Sequence, residues 1–243
     1  MESNFLLPRE VRRYSKQMAL EEFGVEGQEK LKKSKVIVVG AGGLGCPALQ
    51  YLTAVGIGKI AIVEFDMVNE TNLQRQVLYG SSDVGKLKSI IAKRQLEQLN
   101  NFCSFEIVNL RLDAKNASGI ISGYDVVVDA TDNFEARYAI NDACVALNKP
   151  MVHGAIHKFE GIVSVFNYKG GPTYRDYNPH TPCGETKNPD VSQIGLLGTL
   201  PGITGTFMAN EVIKIITETG DSLSGKFLYI NILNNAFKVF SIV

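Results

Sequence analysis

Residues 35–55, KVIVVGAGGLGCPALQYLTAV, limit what this chain can fold into more than any other stretch. The run KVIVVGAGG is short, apolar and rich in β-formers, and it ends in glycines, the pattern of a buried parallel strand entering a tight turn. Leu44, Ala48, Tyr51, Leu52 and Val55 then recur at helical spacing, with Pro47 in the first turn, where a missing N–H costs little. The GIG at 56–58 ends that helix. Gly40, Gly42 and Gly45 thus form a GxGxxG between a strand and a helix. In that setting the unpaired N–H groups of the helix start can receive phosphate oxygens. A turn that serves only strand and helix packing is the competing reading.

Strands and helices continue to alternate. KIAIVE, FEIVN and DVVVDAT read as further strands, and helices are expected over about 85–99 and 134–147. PMVHGAI and GIVSVFN lie close enough to pair antiparallel. The expected fold is therefore α/β: a Rossmann-like, doubly wound, mostly parallel sheet with helices on both faces. From Gly170 to Gly202 the chain turns rich in proline, glycine and polar residues, too long for an ordinary connection, and it reads as either a functional crossing loop or a mobile segment. A helix from about 204 follows, with Met208, Val212, Ile215 and Ile216 on one stripe. KFLYINI and AFKVFSI then make a hairpin around Asn234 and Asn235, a C-terminal antiparallel extension. One domain over 1–243 is expected, with a nucleotide-binding core at about 34–155. The basic run KLKKSK at 30–35 reads as a solvated helix face.

Composition narrows the partners. Lys plus Arg and Asp plus Glu number 25 each, so no overall field selects nucleic acid or a membrane surface. No apolar run approaches the roughly 20 residues of a membrane span, and the N-terminus lacks the order of a signal peptide. A cytoplasmic protein is expected. Cys46, Cys103, Cys144 and Cys183 are scattered without a CxxC, which suggests neither disulfides nor a thiolate zinc site, and most read as small core residues.

Glu64 ends the second strand about 20 residues beyond the glycines, where an acid holds ribose hydroxyls. NAD and ATP both remain open at this point. The stretch VEFDMVNETNLQRQ, residues 63–76, separates them. Asn72 and Arg75, three apart, and Lys88 at the start of the next helix suit the oxygens of a triphosphate that must be neutralised. Asp129 and Asp132 stand at the exit of the fourth strand, where a carboxylate suits Mg²⁺ on those phosphates. Asp132 fits equally as the N-cap of the following helix.

The segments GAGGLG, DMVNETNLQRQVLY, DVGKLKS and DATDNFEARYAIND, with the early RRYSKQ, resemble the ThiF/MoeB/HesA family over about Arg12 to Gly220. These are prokaryotic relatives of ubiquitin-activating enzymes. The resemblance implies a homodimeric adenylation domain that uses ATP to adenylate the C-terminal glycine of a small ubiquitin-like sulfur-carrier protein ending in Gly-Gly. Pyrophosphate is released, and the pathway is thiamine-thiazole or molybdopterin synthesis. By the same resemblance Gly40, Gly42, Gly43, Gly45 and Asp66 lie in the nucleotide pocket, and Glu64 holds the ribose where the family more often has Asp. Asn72, Arg75 and Lys88 bind phosphates, and Asp132 carries Mg²⁺ with Asn133 beside it. Arg13 reaches into the partner subunit's site; otherwise it is a surface arginine on an N-terminal helix.

Such a reaction needs no dedicated base, because a C-terminal carboxylate is ionised at neutral pH. Two anions must meet, so the work is electrostatic and positional. The chain also departs from the family. Many relatives hold a structural zinc with two CxxC pairs, whereas TYRD at Thr173 to Asp176 replaces the first pair and the second is missing, so no zinc is expected. Val191 stands where some relatives carry a sulfur-transfer cysteine, and Cys183 lies eight residues earlier, read as a thiol without function. Three rival functions share parts of the pattern. A tRNA-nucleoside dehydratase of the same superfamily keeps all the motifs, whereas an NAD-dependent oxidoreductase leaves Arg75, Lys88 and Asp132 unexplained. A non-catalytic scaffold leaves the phosphate ligands without purpose.

Overall fold

The structure is a computed structural model that describes residues 5–179 and 195–242. Cys183 and Val191 lie outside the described residues. Eight strands form one sheet in the order β3-β2-β1-β4-β5-β6-β7-β8: β1 (Lys35–Val39), β2 (Lys59–Val63), β3 (Ser104–Val108), β4 (Val126–Asp129), β5 (Met151–His157), β6 (Glu160–Phe166), β7 (Lys226–Asn231) and β8 (Ala236–Ser241). The first five are parallel and the rest antiparallel, as the two expected hairpins require.

β1 explains why the parallel strands read as continuous apolar runs. Its residues alternate in direction: Val36 and Val38 enter one core, Ile37 and Val39 the other. The first core is closed by α2 (Gly24–Lys33), α3 (Gly45–Val55), α4 (Lys88–Leu99) and α8 (Thr199–Thr217), through Leu31, Leu49, Ile91 and Met208. The second is closed by α5 (Ala117–Ile121), α6 (Phe134–Ala146) and the short α7 (Tyr174–Tyr177), through Ile121, Ile140 and Tyr174. α1 (Pro8–Met18) precedes them and packs against α2.

The chain winds outward from β1 through β2 to β3, then returns to place β4 on the other side of β1. That reversal opens a crevice between the carboxyl ends of β1 and β4, the place where such sheets take ligands. Register sets Val39 beside Asp129 there.

Two helix starts and one surface differ from those expected. α8 begins at Thr199, not near 204, because Pro201 sits in its first turn, where the missing N–H is harmless. α4 begins at Lys88, after a 3₁₀ turn at Ser81–Asp83 and Gly85 at φ +80°. The basic run at 30–35 is only partly solvated: Leu31 is buried, and Lys32 pairs with the buried Glu10 of α1. Cys46, Cys103 and Cys144 are free and buried, and burial pushes each thiol up to about 12.

Thr173 and Asp176, the ends of the TYRD segment, hold α7 with a reciprocal cap. The Thr173 N–H donates to Asp176 Oδ2 at 2.7 Å, and the Asp176 N–H donates to Thr173 Oγ1 at 3.3 Å. Thr173→Ala is expected to cost about 1 kcal/mol, seen as a Tm lowered by about 2–4 °C in thermal unfolding.

Candidate nucleotide site

The glycine loop has two kinds of glycine. Gly40 has φ +95°, and a methyl group there would stand 2.7 Å from the Ala130 carbonyl; at Gly45 it would stand 2.0 Å from the Gly40 carbonyl. Both are required by packing of the loop on itself and on β4. Gly42 is different. Among the described residues a methyl there would meet only Gln76 Nε2, at 3.5 Å, an ordinary contact, so none of them demands a glycine.

Ala41, between them, is tied at both ends. Its N–H donates to Glu64 Oε2 at 3.0 Å, and its carbonyl accepts from Tyr79 Oη at 2.8 Å. Glu64 also accepts the N–H groups of Phe65 and Asp66 through Oε1, at 2.8 and 2.9 Å. The buried Glu64 carboxylate therefore braces the glycine loop against the end of β2, a task sequence reading did not assign to it.

The loop after β2 is shaped by short-range bonds. Asn69 Oδ1 accepts the Thr71 N–H at 2.9 Å and starts a 3₁₀ turn over Glu70–Asn72. The carbonyl of Asn72 then accepts the N–H groups of Arg75 and Gln76, both at 3.0 Å. Arg75 donates one bond, to the Thr71 carbonyl at 3.0 Å, and has no carboxylate partner among the described residues. Residues 66–68 pair with 86–88: the N–H of Val68 meets the Lys86 carbonyl and that of Lys88 the Asp66 carbonyl. This pairing carries Lys88 to the exit of β2.

Lys88 is buried at the first position of α4, and its ammonium lies 3.2 Å from Asp66 Oδ2, a half-exposed carboxylate. A cation at a helix N-terminus opposes the helix dipole. Neither α3 nor α4 has a side-chain N-cap, and their first turns are partly spent on the backbone: the Cys46 N–H donates to the Gly42 carbonyl, Pro47 has no N–H, and the Lys88 N–H donates to the Asp66 carbonyl. Arg75 and Lys88 together favour an anion with several charged oxygens.

At the exit of β4 the two acids separate. Asp129 is fully buried and engaged by His153, Thr131 and Arg137. Burial alone would raise its carboxyl, yet the His153 hydrogen bond and the Arg137 charge outweigh this and hold it below the usual range. Asp132 is exposed, and its one hydrogen-bond contact among the described residues is with Asn133 Nδ2 at 3.4 Å. The cap of α6 is not Asp132 but Asn133, whose Oδ1 accepts the Ala136 N–H at 2.9 Å. The alternative role for Asp132 is thus filled by its neighbour, and its hard, anionic oxygens remain available to a cation.

Arg13 is not part of this cluster. From α1 its guanidinium donates to the Leu99 carbonyl, at the C-terminal end of α4, about 16 Å along that helix from Lys88. Gln76 went unnoticed in the sequence. It is buried against the glycine loop, and its Oε1 has no hydrogen-bond partner among the described residues. Its place next to Arg75 in the NLQRQ run was the one available signal.

A doubly wound sheet with a phosphate-suited crevice at its switch point defines a nucleotide-binding α/β protein. Within that class the chain belongs to the ThiF family, which residues 14–242 match. It is 48% identical over 234 residues to the probable molybdopterin-synthase adenylyltransferase of Porphyra purpurea, covering 96% of this chain and 61% of that one. To the sulfur carrier protein adenylyltransferase of Thermus thermophilus it is 44% identical, over 94% of this chain and 86% of the relative. This chain thus spans about three-fifths of the first relative's length and most of the second's. Among solved structures, that of E. coli MccB with ATP superposes with a TM-score of 0.81 at 25% identity, over 95% of this chain and 70% of MccB. Among the described residues no helix is long and apolar enough to cross a membrane.

Proposed function

We propose that this chain adenylates the C-terminal glycine carboxylate of a small ubiquitin-like sulfur-carrier protein, consuming ATP and releasing pyrophosphate. The observation that carries this reading is a buried Lys88 at an uncapped helix start, with Arg75 free of any carboxylate among the described residues. Lys88 is buried with only the half-exposed Asp66 to offset it, and both cations suit a triphosphate. A nicotinamide dinucleotide would leave Arg75 without an anionic partner. Close relatives named as adenylyltransferases for molybdopterin synthase and for sulfur carriers support the same substrate class, and they favour molybdopterin over thiamine synthesis as the pathway.

In this reading the glycine loop lies against the nucleotide, and the bare face of Gly42 admits its phosphates. Glu64 faces the ribose while bracing the loop, and Asn72, Arg75 and Lys88 hold phosphate oxygens. Asp132, with Asn133 beside it, has the free carboxylate that suits Mg²⁺. When bound, Mg²⁺ offsets phosphate charge and favours attack at phosphorus. The chain's own cations do the same for the approach of the carrier's carboxylate, and the pocket holds the two reactants in line. We assign the whole chain to one cytoplasmic adenylation domain working as a homodimer. Arg13, remote from its own crevice, serves the partner's.

ATP–pyrophosphate exchange tests the proposal. Exchange is expected only with a carrier ending in Gly-Gly, and removal of those two residues should stop it. Absence of exchange with every candidate carrier, or tighter binding of NAD than of ATP, would overturn it.

A further inference from the structure

Beside the crevice lies a buried carboxylate–histidine pair that the proposed reaction does not use. Register on the sheet sets His153 of β5 next to Asp129 of β4, and Nδ1 of the histidine is 2.7 Å from Asp129 Oδ2. Both side chains are buried, and burial pushes His153 below its ordinary value; Nδ1, which faces a carboxylate oxygen, is the ring nitrogen that carries a proton and donates it. The ring is fixed by Phe166 and Tyr174, with centroids 5.9 and 5.2 Å away.

The other oxygen of Asp129 is spent on the turn that follows β4. Oδ1 accepts both the N–H of Thr131, at 3.1 Å, and its hydroxyl. Arg137 of α6 stands 3.5 Å from Asp129 Oδ2 and donates to the Thr131 carbonyl at 3.1 Å. Thr131 is therefore held at its amide, its hydroxyl and its carbonyl. Two residues later Asn133 is held by its cap on α6. Asp132 lies between these two clamps, so its exposed carboxylate projects from a turn whose ends are both fixed.

We propose that His153 is a positioning residue for Asp132, acting through Asp129 and Thr131 to hold the carboxylate that receives the nucleotide's divalent cation. The inference rests on the reading of Asp132 as that cation's ligand. Its physical basis is that a buried carboxylate cannot lose a donor without finding another. Without His153, Asp129 would draw Arg137 and the Thr131 hydroxyl towards its second oxygen, and the clamp on the turn would slacken. A histidine needed only for core packing would not act selectively on the metal.

The test is calorimetric binding of α,β-methylene-ATP to the full chain, with MgCl₂ and separately with EDTA. His153→Leu, which keeps bulk and removes the donor, is expected to weaken binding by about tenfold in Mg²⁺ and leave it unchanged in EDTA. His153→Asn, whose amide reaches the place of Nδ1, should restore most of the loss. Equal weakening with and without Mg²⁺, or none in either, would overturn the proposal. Should His153→Leu fail to fold, Thr131→Val decides: it removes the hydroxyl bond at nearly constant volume and should act in the same direction, and unaltered Mg²⁺-dependent binding would be decisive against the clamp. Asp132→Asn separates the two layers of inference. If it leaves the Mg²⁺ advantage intact, the cation reading of Asp132 itself fails; if it abolishes that advantage while His153→Leu does not, only the role of His153 fails.

Discussion

Arg75→Ala is expected to lower carrier-dependent ATP–pyrophosphate exchange by about 10²- to 10³-fold, the usual loss when one preorganised donor to developing charge is removed. The fold should be nearly untouched. The Arg75 side chain makes a single hydrogen bond, to the Thr71 carbonyl, and has no carboxylate partner among the described residues, so its removal leaves no buried charge unpaired. Thermal unfolding should move by no more than about 1–2 °C. Arg75→Lys would keep the charge but lose the planar fork, and is expected to recover only part of the rate. An Arg75→Ala protein that exchanges at the original rate would remove the electrostatic basis of the proposed function.

The second large effect divides the glycine loop. Gly45→Ala places a methyl 2.0 Å from the Gly40 carbonyl, and Gly40 cannot retreat because its own Cα faces the Ala130 carbonyl. Backbone against backbone has no rotamer with which to yield. The expected cost is about 3 kcal/mol or more, a Tm lowered by at least about 6 °C. Gly42→Ala adds its methyl at an ordinary distance from Gln76, so its Tm should stay within about 1–2 °C of the parent. Its effect falls on the ligand: ATP binding is expected to weaken by about tenfold or more, because the backbone can no longer approach the phosphates closely. Measuring Tm and ATP affinity on both variants separates the roles. Equal behaviour of the two in both assays would refute the division.

Much of this architecture was legible because it is local. A strand buried on both faces must be apolar where it is buried, as in the VIVV of Val36 to Val39, and a helix that starts on glycines and stops at Gly56 carries its own punctuation. The spacing of Asn72, Arg75 and Lys88 along the chain was enough to nominate them together, since a turn and a helix start bring such neighbours to one edge. The start of α8 was misplaced for an equally physical reason. Pro201 and Gly202 read as loop residues, and only packing against α3 makes a helix there worthwhile.

Contacts between residues far apart in the chain were another matter. Sequence placed Asp129 and Asp132 together at a strand end, yet one is a buried anchor and the other an exposed carboxylate, and the difference comes from β5, whose register brings His153 against the first. Asn133 took the cap that Asp132 also fitted. Glu64 was legible as an acid at the end of β2 but not as the acceptor for Ala41, because that bond crosses between adjacent strand ends. The order of apolar and glycine residues dictated the strands, the helices and the chemical types at the crevice, since these depend on backbone stereochemistry and periodicity within a few residues. Which of those side chains is spent on the protein itself and which is left for a ligand depended on the sheet's strand order and register, because a polar group's partners in the interior come from wherever the fold brings them.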